Sequence, residues 1–64
     1  MSYEIWTKDD DGNLQKVDEH ESSYPPDEGE WLAYSHGGVE KEARVTEVRY
    51  VRQRDGESLI KVFV

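Results

Sequence analysis

The C-terminal stretch from Thr46 to Val64 constrains the fold more than any other part of the chain. It contains two runs rich in β-branched and aromatic residues, and an Asp55-Gly56 step lies between them. Such a step between two β-rich runs is typical of a hairpin, because glycine adopts the positive φ that a tight turn requires. The sequence therefore predicts a C-terminal β-hairpin at 46–64.

The register of this hairpin follows from its apolar faces. A two-residue turn would place Tyr50 opposite Lys61, whereas a three-residue loop at 54–56 places Tyr50 opposite Ile60. A shift of one residue moves every side chain to the other face, so the register that unites the apolar faces is favoured. We therefore predict a bulged loop with Gly56 in its left-handed position. The predicted pairs are Tyr50–Ile60, Val48–Val62 and Thr46–Val64.

Apolar residues also occur on the other face of this hairpin, among charged ones. A hairpin that is apolar on both faces suits a small barrel or sandwich, in which a bent strand belongs to two layers. The alternative is one helix from Val39 to Arg54. Its valines would scatter around the helix axis instead of forming a stripe, and β-branched residues disfavour a helix. We therefore predict strands.

The first half of the chain predicts two strands and a long loop. Residues 2–8 alternate in polarity, as a half-buried strand does. Residues 9–13 are a turn, in which Gly12 supplies positive φ. A shorter edge strand is predicted at 14–17. Residues 18–30 lack apolar periodicity and contain two prolines, so they are predicted to form one long loop.

The second half predicts the remaining strands. Residues 31–35 form the third strand, and 36–38 are a turn. Residues 39–43 remain open between a short helix and the start of the long strand that follows. The hairpin at 46–64 closes the chain. The fold class predicted is all-β, a small five-stranded antiparallel barrel or sandwich.

A family resemblance accompanies this layout. A Pro-x-x-Gly-Glu turn at 26–30 enters a short strand, a Gly-containing turn follows, and a Val-rich hairpin ends in Ile-Lys-Val-Phe-Val. Over residues 24–64 this layout resembles the small SH3-like β-barrels. The resemblance implies a barrel, and SH3 domains bind Pro-rich peptides in an aromatic groove flanked by acids. No residue of that groove can be matched here, so no binding residue is transferred, and fold alone does not determine function.

Size limits the core. The 64 residues make a single small domain, 1–64, and the absence of cysteine excludes disulfides and thiolate metal ligands. A chain of this length buries only about 60% of its unfolded surface. Two Trp, four Tyr and one Phe supply much of the available apolar area. Self-association is another source of buried area in small domains, so a homodimer remains open.

Charge is distributed unevenly. The net charge is −7: residues 1–30 hold ten acids and two lysines, a net −8, and residues 31–64 hold five acids and six bases, a net +1. The acidic half disfavours direct binding of nucleic acid or an anionic membrane and favours a basic protein partner. Acidic residues also keep small domains soluble and adapt proteins to high salt, so both of these roles remain open. No apolar run is long enough to span a membrane and no signal peptide is present, so a cytoplasmic location is expected.

Metal binding and catalysis find little support. With Gly12 at position six of an EF-hand, Thr7 would occupy position one and Asp18 position twelve, and neither is the required ligand. His20 and His36 are too few for a zinc site without distant carboxylates. There is no nucleophile elbow and no phosphate-binding loop. The sequence predicts no metal, no cofactor and no enzymatic activity.

Surface recognition is the function that remains. Carboxylates would steer a basic partner, and Trp and Tyr would anchor the interface. We predict a non-enzymatic interaction module or small inhibitor, in a sharper version a phage-type mimic of nucleic acid. The alternative is a structural or assembly subunit that associates through edge strands. The predicted partner-binding residues are Asp9, Asp10, Asp11, Asp18, Glu19, Glu21, Tyr24, Asp27, Glu28, Trp31 and Tyr34.

Overall fold

The computed structural model describes residues 2–22, 24–54, 56 and 58–64, and its regular elements are all strands. The all-β prediction is therefore confirmed. Two sheets are formed, one of four strands in the order β2-β1-β6-β5 and one of two strands, β3-β4. The strands are β1 (Ser2–Lys8), β2 (Leu14–Glu21), β3 (Trp31–His36), β4 (Val39–Arg44), β5 (Glu47–Arg52) and β6 (Ser58–Phe63).

The centre of the large sheet is a parallel pair. β1 lies beside β6 in parallel, with Tyr3 opposite Ile60 and Trp6 opposite Phe63. The prediction of a purely antiparallel sheet is therefore wrong. Turn sequences indicate only which neighbouring segments fold back on each other, and this pair joins the two ends of the chain.

The C-terminal hairpin has the predicted register. Tyr50 lies opposite Ile60 and Val48 opposite Val62. Gly56 has a φ of +86°, and its amide donates to the carbonyl of Gln53 at 3.1 Å. The predicted Thr46–Val64 pair is replaced at the end of the ladder, where the Thr46 amide and hydroxyl donate to the carbonyl of Phe63. Asp55, part of the predicted loop, lies outside the described residues.

The described residues form six strands, one more than the predicted five. The segment left open at 39–43 is neither a helix nor the start of β5, because Val39–Arg44 forms β4 and pairs with β3. Val45 and Thr46 then separate β4 from β5. The Val45 amide donates to the carbonyl of Glu30, and the Gly29 amide donates to the carbonyl of Val45, both at 2.8 Å. These bonds hold the end of β4 while the chain turns into the large sheet.

The predicted loop at 18–30 is too long. β2 continues to Glu21, so the irregular connection begins at Ser22. Asp18 to Glu21 carry no apolar periodicity because they form an edge, where pairing with β1 and side-chain hydrogen bonds replace a buried stripe. The β1–β2 register shifts between Ile5 and Trp6, leaving Val17 as the extra residue of a bulge.

The core lies between the two sheets. Alternate residues of β1 and β6 project from the large sheet, and those of β3 meet them from the small sheet. Ile5, Val45 and Val62 are almost completely buried. No helix with the length and hydropathy of a membrane span occurs in the part of the chain that the structure describes. The buried core cluster consists of Tyr3, Ile5, Leu32, Tyr34, Val45, Ile60 and Val62.

Candidate protein-binding surface

The turn between β1 and β2 presents carboxylates from a fixed backbone. The Asp9 amide donates to the carbonyl of Asn13 at 2.9 Å, and the Gly12 amide donates to the carbonyl of Asp9 at 3.0 Å. A carboxylate oxygen of Asp9 also accepts from the amides of Asp11 and Asn13, each at 2.9 Å. Asp9 therefore organises the turn, as Asx side chains do. Asp10 and Asp11 are exposed on it.

Asp18 is engaged in hydrogen bonds within the protein. Its Oδ2 accepts from the Ser35 amide of β3 at 2.8 Å, and its Oδ1 accepts from the Glu19 amide at 2.8 Å. His20 Nε2 lies 3.2 Å from the same Oδ2. The bond from Ser35 is the largest cause of a pKa of Asp18 below its ordinary value, and the bond from Glu19 and the nearby His20 add to it. Asp18 therefore links β2 to the small sheet.

This link extends into the core through His20. The ring nitrogen Nδ1 lies 3.0 Å from the hydroxyl oxygen of Tyr3, and the two rings meet edge to face. Burial raises the pKa of the Tyr3 phenol, and the charge of Asp18 raises it further. We call the chain from Tyr3 through His20 and Asp18 to Ser35 the β2–β3 clasp. Asp18 and His20 are two positions apart in the sequence, but only the fold shows that they meet Tyr3 and Ser35.

Glu19 and Glu21 lie at the opposite end of β2 from the Asp9 turn. Lys16 forms ion pairs with Glu4 at 3.2 Å and with Glu19 at 3.5 Å. The hydrogen bond that the Lys16 ammonium donates to Glu4 is the main reason that the pKa of Lys16 is raised. The carboxylates of Glu19 and Glu21 line an open groove. Residues of β1 and of the β5–β6 turn and the start of β6 form the rest of its lining. The charge of Glu19 is thus paired with that of Lys16, unlike the charges of the aspartates of the turn.

The connection from Ser22 to Glu30 carries the next group of predicted residues. Tyr24 is 88% exposed, and its amide donates to the Ser22 hydroxyl oxygen at 3.1 Å. Asp27 and Glu28 are both in this connection, where the Glu30 amide donates to the carbonyl of Asp27 at 3.1 Å. The backbone hydrogen bonds between Val45 and residues 29–30 fix the end of this turn. The carboxylates of Asp27 and Glu28 therefore also project from an ordered backbone.

The two remaining aromatic candidates have opposite environments. Trp31 is 60% exposed, and the Arg44 guanidinium lies 5.1 Å from its ring centroid. Tyr34 belongs to the buried core, although both residues lie on β3. They differ because positions of odd separation point to opposite faces of the strand. Tyr34 is therefore a core residue, whereas Trp31 remains an exposed candidate.

Other aromatic groups lie outside the predicted set of partner-binding residues. On the face of the large sheet that points away from the core, the Lys61 ammonium lies 4.7 Å from the Trp6 ring. The Arg49 guanidinium lies 5.1 Å from the Phe63 ring on the same face. Tyr50 on β5 is 68% exposed but lies on the opposite face of the sheet, the same face as Val48. The alternation of charged and aromatic residues along these strands was a usable signal for the outward face.

Metal-ligating side chains do not converge in the described residues: no group of three or more His, Cys, Asp or Glu residues there has the geometry to hold an ion. No family model matches the chain, and no curated protein and no solved structure gives a significant match. The exposed carboxylates and aromatic rings of the surface are therefore the basis for a proposed function.

Proposed function

We propose that this chain is a non-enzymatic protein-binding module, in effect a small inhibitor, that presents carboxylates to a basic surface of its partner. The observation that carries the proposal is the Asp9 turn. Asp9 uses its carboxylate to hold the backbone, while Asp10 and Asp11 remain exposed. Because the turn is already ordered, binding through these two carboxylates costs less conformational entropy than binding through a flexible acidic tail.

The segment around Asp27 supplies a second contact region. Its carboxylates accompany the exposed rings of Tyr24 and Trp31. Complementary charge raises the rate of association, and desolvated aromatic side chains extend the lifetime of a complex. Glu19 and Glu21 belong to the proposed surface as a third group. Asp18 and Tyr34 are left out of it, because the first holds the β2–β3 clasp and the second lies in the core.

A sharper version is that the surface mimics nucleic acid, as a phage inhibitor of a nucleic-acid-binding protein would. In this version the carboxylates stand in for phosphates on a rigid scaffold. The Asp9 turn and Glu21 lie at the two ends of β2, whose eight residues span roughly 25 Å at the rise of a β-strand. Such a span corresponds to several phosphates along a duplex.

The proposed fold of this module is a small SH3-like barrel. The β2–β3 clasp supports closure between the two sheets on one side. On the other side, Val45 and Thr46 connect β4 to β5 without a ladder between those strands in the described residues. We therefore propose a barrel that is closed at β2–β3 and open at β4–β5. Distance restraints between the amides of β4 and β5 would detect a ladder if one forms.

The experiment compares two double variants in a pull-down from lysate of the source cell. Asp10→Asn/Asp11→Asn removes the two exposed carboxylates of the turn. Glu40→Gln/Glu42→Gln removes two exposed carboxylates of β4, outside the proposed surface, and is the matched control.

We expect the wild type and the β4 variant to capture the same protein at low salt. The turn variant should lose it, and DNA or RNA should compete for it if the surface mimics nucleic acid. Retention at high salt would move the interface to Tyr24 and Trp31. Equal capture by both variants, or recovery of the bait alone, would overturn the proposal.

A further inference from the structure

β5 is an uncovered edge of the large sheet. It pairs with β6 on one side, and none of the described strands pairs with its other side. Tyr50 lies on the same face of β5 as Val48, which packs against the core, yet Tyr50 is 68% exposed. Its neighbour Val51 is 40% exposed. The small sheet therefore ends before it reaches the β5 edge.

Two other described edge strands, β2 and β4, have features that disfavour strand addition. β2 contains the Val17 bulge and is held to β3 through Asp18. β4 carries the charges of Glu40, Lys41 and Glu42 at successive exposed positions. β5 has neither a bulge nor a described bond to the small sheet, and its ladder with β6 continues through six pairs without a shift in register. Its charged residues, Glu47, Arg49 and Arg52, are interspersed with apolar ones. A regular edge of this kind presents unpaired backbone groups that can accept another strand.

The sequence of β5 is complementary to itself. In an antiparallel pairing of two copies centred on Val48, Glu47 of each copy lies opposite Arg49 of the other. Thr46, the residue just before β5, lies opposite Tyr50 at both ends, and Val48 lies opposite Val48. The pairing stops there, because Val45 is bonded to Gly29 and Glu30. Residues opposite each other point to the same face of an antiparallel sheet, so the opposite charges meet.

The neighbouring registers lack this complementarity. Centring the pairing on Arg49 places two guanidinium groups opposite each other, which is destabilising. Centring it on Tyr50 places Arg49 opposite Val51 and Glu47 opposite Gln53. Within one chain, Glu47 and Arg49 already form an ion pair on the outward face. The Val48-centred register would join two such pairs into a square of four alternating charges.

We propose that a second copy of this chain docks on β5 in the Val48-centred antiparallel register and extends the large sheet to eight strands. The interface is isologous, so it closes at two copies and does not propagate. It also covers backbone groups and exposed apolar side chains that the small core of one chain leaves open. The proposal is independent of the acidic surface, which does not include β5.

Sedimentation equilibrium tests the register through charge. Wild type is expected to dimerise, while Arg49→Glu and Glu47→Arg should each weaken dimerisation by about tenfold or more, since each places like charges opposite each other. An equimolar mixture of the two variants should regain association, because every Glu of one variant then faces an Arg of the other. Lys41→Glu, on exposed β4, is the control and should dimerise like wild type.

A second measurement needs no variant. Amide exchange across residues 47–50 should slow as protein concentration rises, while exchange in β4 should not depend on concentration. A wild type that stays monomeric at millimolar concentration would overturn the proposal. So would a dimer that both charge variants form equally well, or a mixture that associates no better than its components.

Discussion

The two outer strands of the large sheet, β2 and β5, differ in what lies against their free edges. β2 is joined to the small sheet by the bond from the Ser35 amide to Asp18. β5 has no comparable bond among the described residues, and Tyr50 is left in solvent. The same sheet thus has one edge that a hydrogen bond joins to the small sheet and one edge with no strand beside it in the described residues.

The difference between β2 and β5 shows that polar side chains can join the edge of a sheet to a neighbouring strand. The pattern of apolar residues does not determine which edge is joined. The β2–β3 clasp consists of a phenol, an imidazole and a carboxylate, and each has a partner. No buried side-chain nitrogen or oxygen lacks a hydrogen-bond partner in the described residues. On β5, Arg49 and Glu47 instead pair with each other along one strand, so their charges form no bond from the free edge of β5 to the small sheet.

The largest effect is expected at the strand that supports the closed edge. Ile5 pairs with Asp18 and is fully buried, so Ile5→Ala should lower the free energy of unfolding by about 2 to 5 kcal/mol. Val51→Ala at the open edge is the matched control, and it should change the free energy by about 0.5 kcal/mol or less. Urea unfolding followed by Trp fluorescence measures both. Similar losses at the two positions would contradict the contrast between the buried centre of the sheet and its exposed β5 edge.

The clasp predicts a pH dependence of intermediate size. The Asp18 carboxylate accepts hydrogen bonds from the Ser35 and Glu19 amides, and Asp18→Asn removes its charge. The free energy of unfolding should fall by about 1 to 3 kcal/mol at neutral pH. The folded pKa of Asp18 is depressed below its ordinary value of 3.8. Its contribution to stability is therefore complete above that value and is lost as the pH falls through the folded pKa.

Denaturant unfolding at a series of pH values from neutral to below the ordinary pKa tests this sign. The difference between wild type and Asp18→Asn should be largest at neutral pH and shrink on acidification. Asp10→Asn, which removes an exposed carboxylate of the β1–β2 turn, should show a small difference throughout. A gap between wild type and Asp18→Asn that stays constant over the series would contradict the role of the ionised carboxylate.

The smallest effects are expected in the two tight turns. Gly12 and Gly56 have φ values of +85° and +86°, and a Cβ built at either position would meet nothing within 4 Å. Alanine at each should therefore cost about 1 kcal/mol, from backbone strain alone. Gly12 lies in the β1–β2 turn and Gly56 in the β5–β6 turn, so thermal unfolding of the two variants compares the two hairpins. Very different losses would mean that one turn is constrained by more than its backbone.

Local pattern predicted the parts of the fold that depend on neighbouring residues. The β5–β6 register followed from matching the apolar faces around Gly56, and the all-β class followed from the β-branched runs. The β1–β6 pair could not be predicted, since strand order between distant segments has no local signal. β4 was left open because its charged residues suit both a helix and an exposed edge strand.

The candidate surface shows the same limit. The exposed aspartates at Asp10 and Asp11 were identified from a turn sequence, which is a local property. The same composition-based reasoning placed Asp18 and Tyr34 in the surface, and their environments depend on β3 meeting β2. An acidic side chain and an aromatic one have the same letters whether they face solvent or a neighbouring sheet, so their roles required the fold.

The parallel pairing of β1 with β6 has a consequence for how the chain acquires its structure. Thr7 and Val64, joined by a side-chain hydrogen bond, are 57 positions apart. During synthesis, β1 emerges first and its apolar face stays without its central partner until β6 has left the ribosome. The β1–β2 and β3–β4 hairpins can form earlier, but the core between the sheets assembles only at the end. We expect folding in the range of milliseconds to seconds that non-local β pairings show, in a single late step.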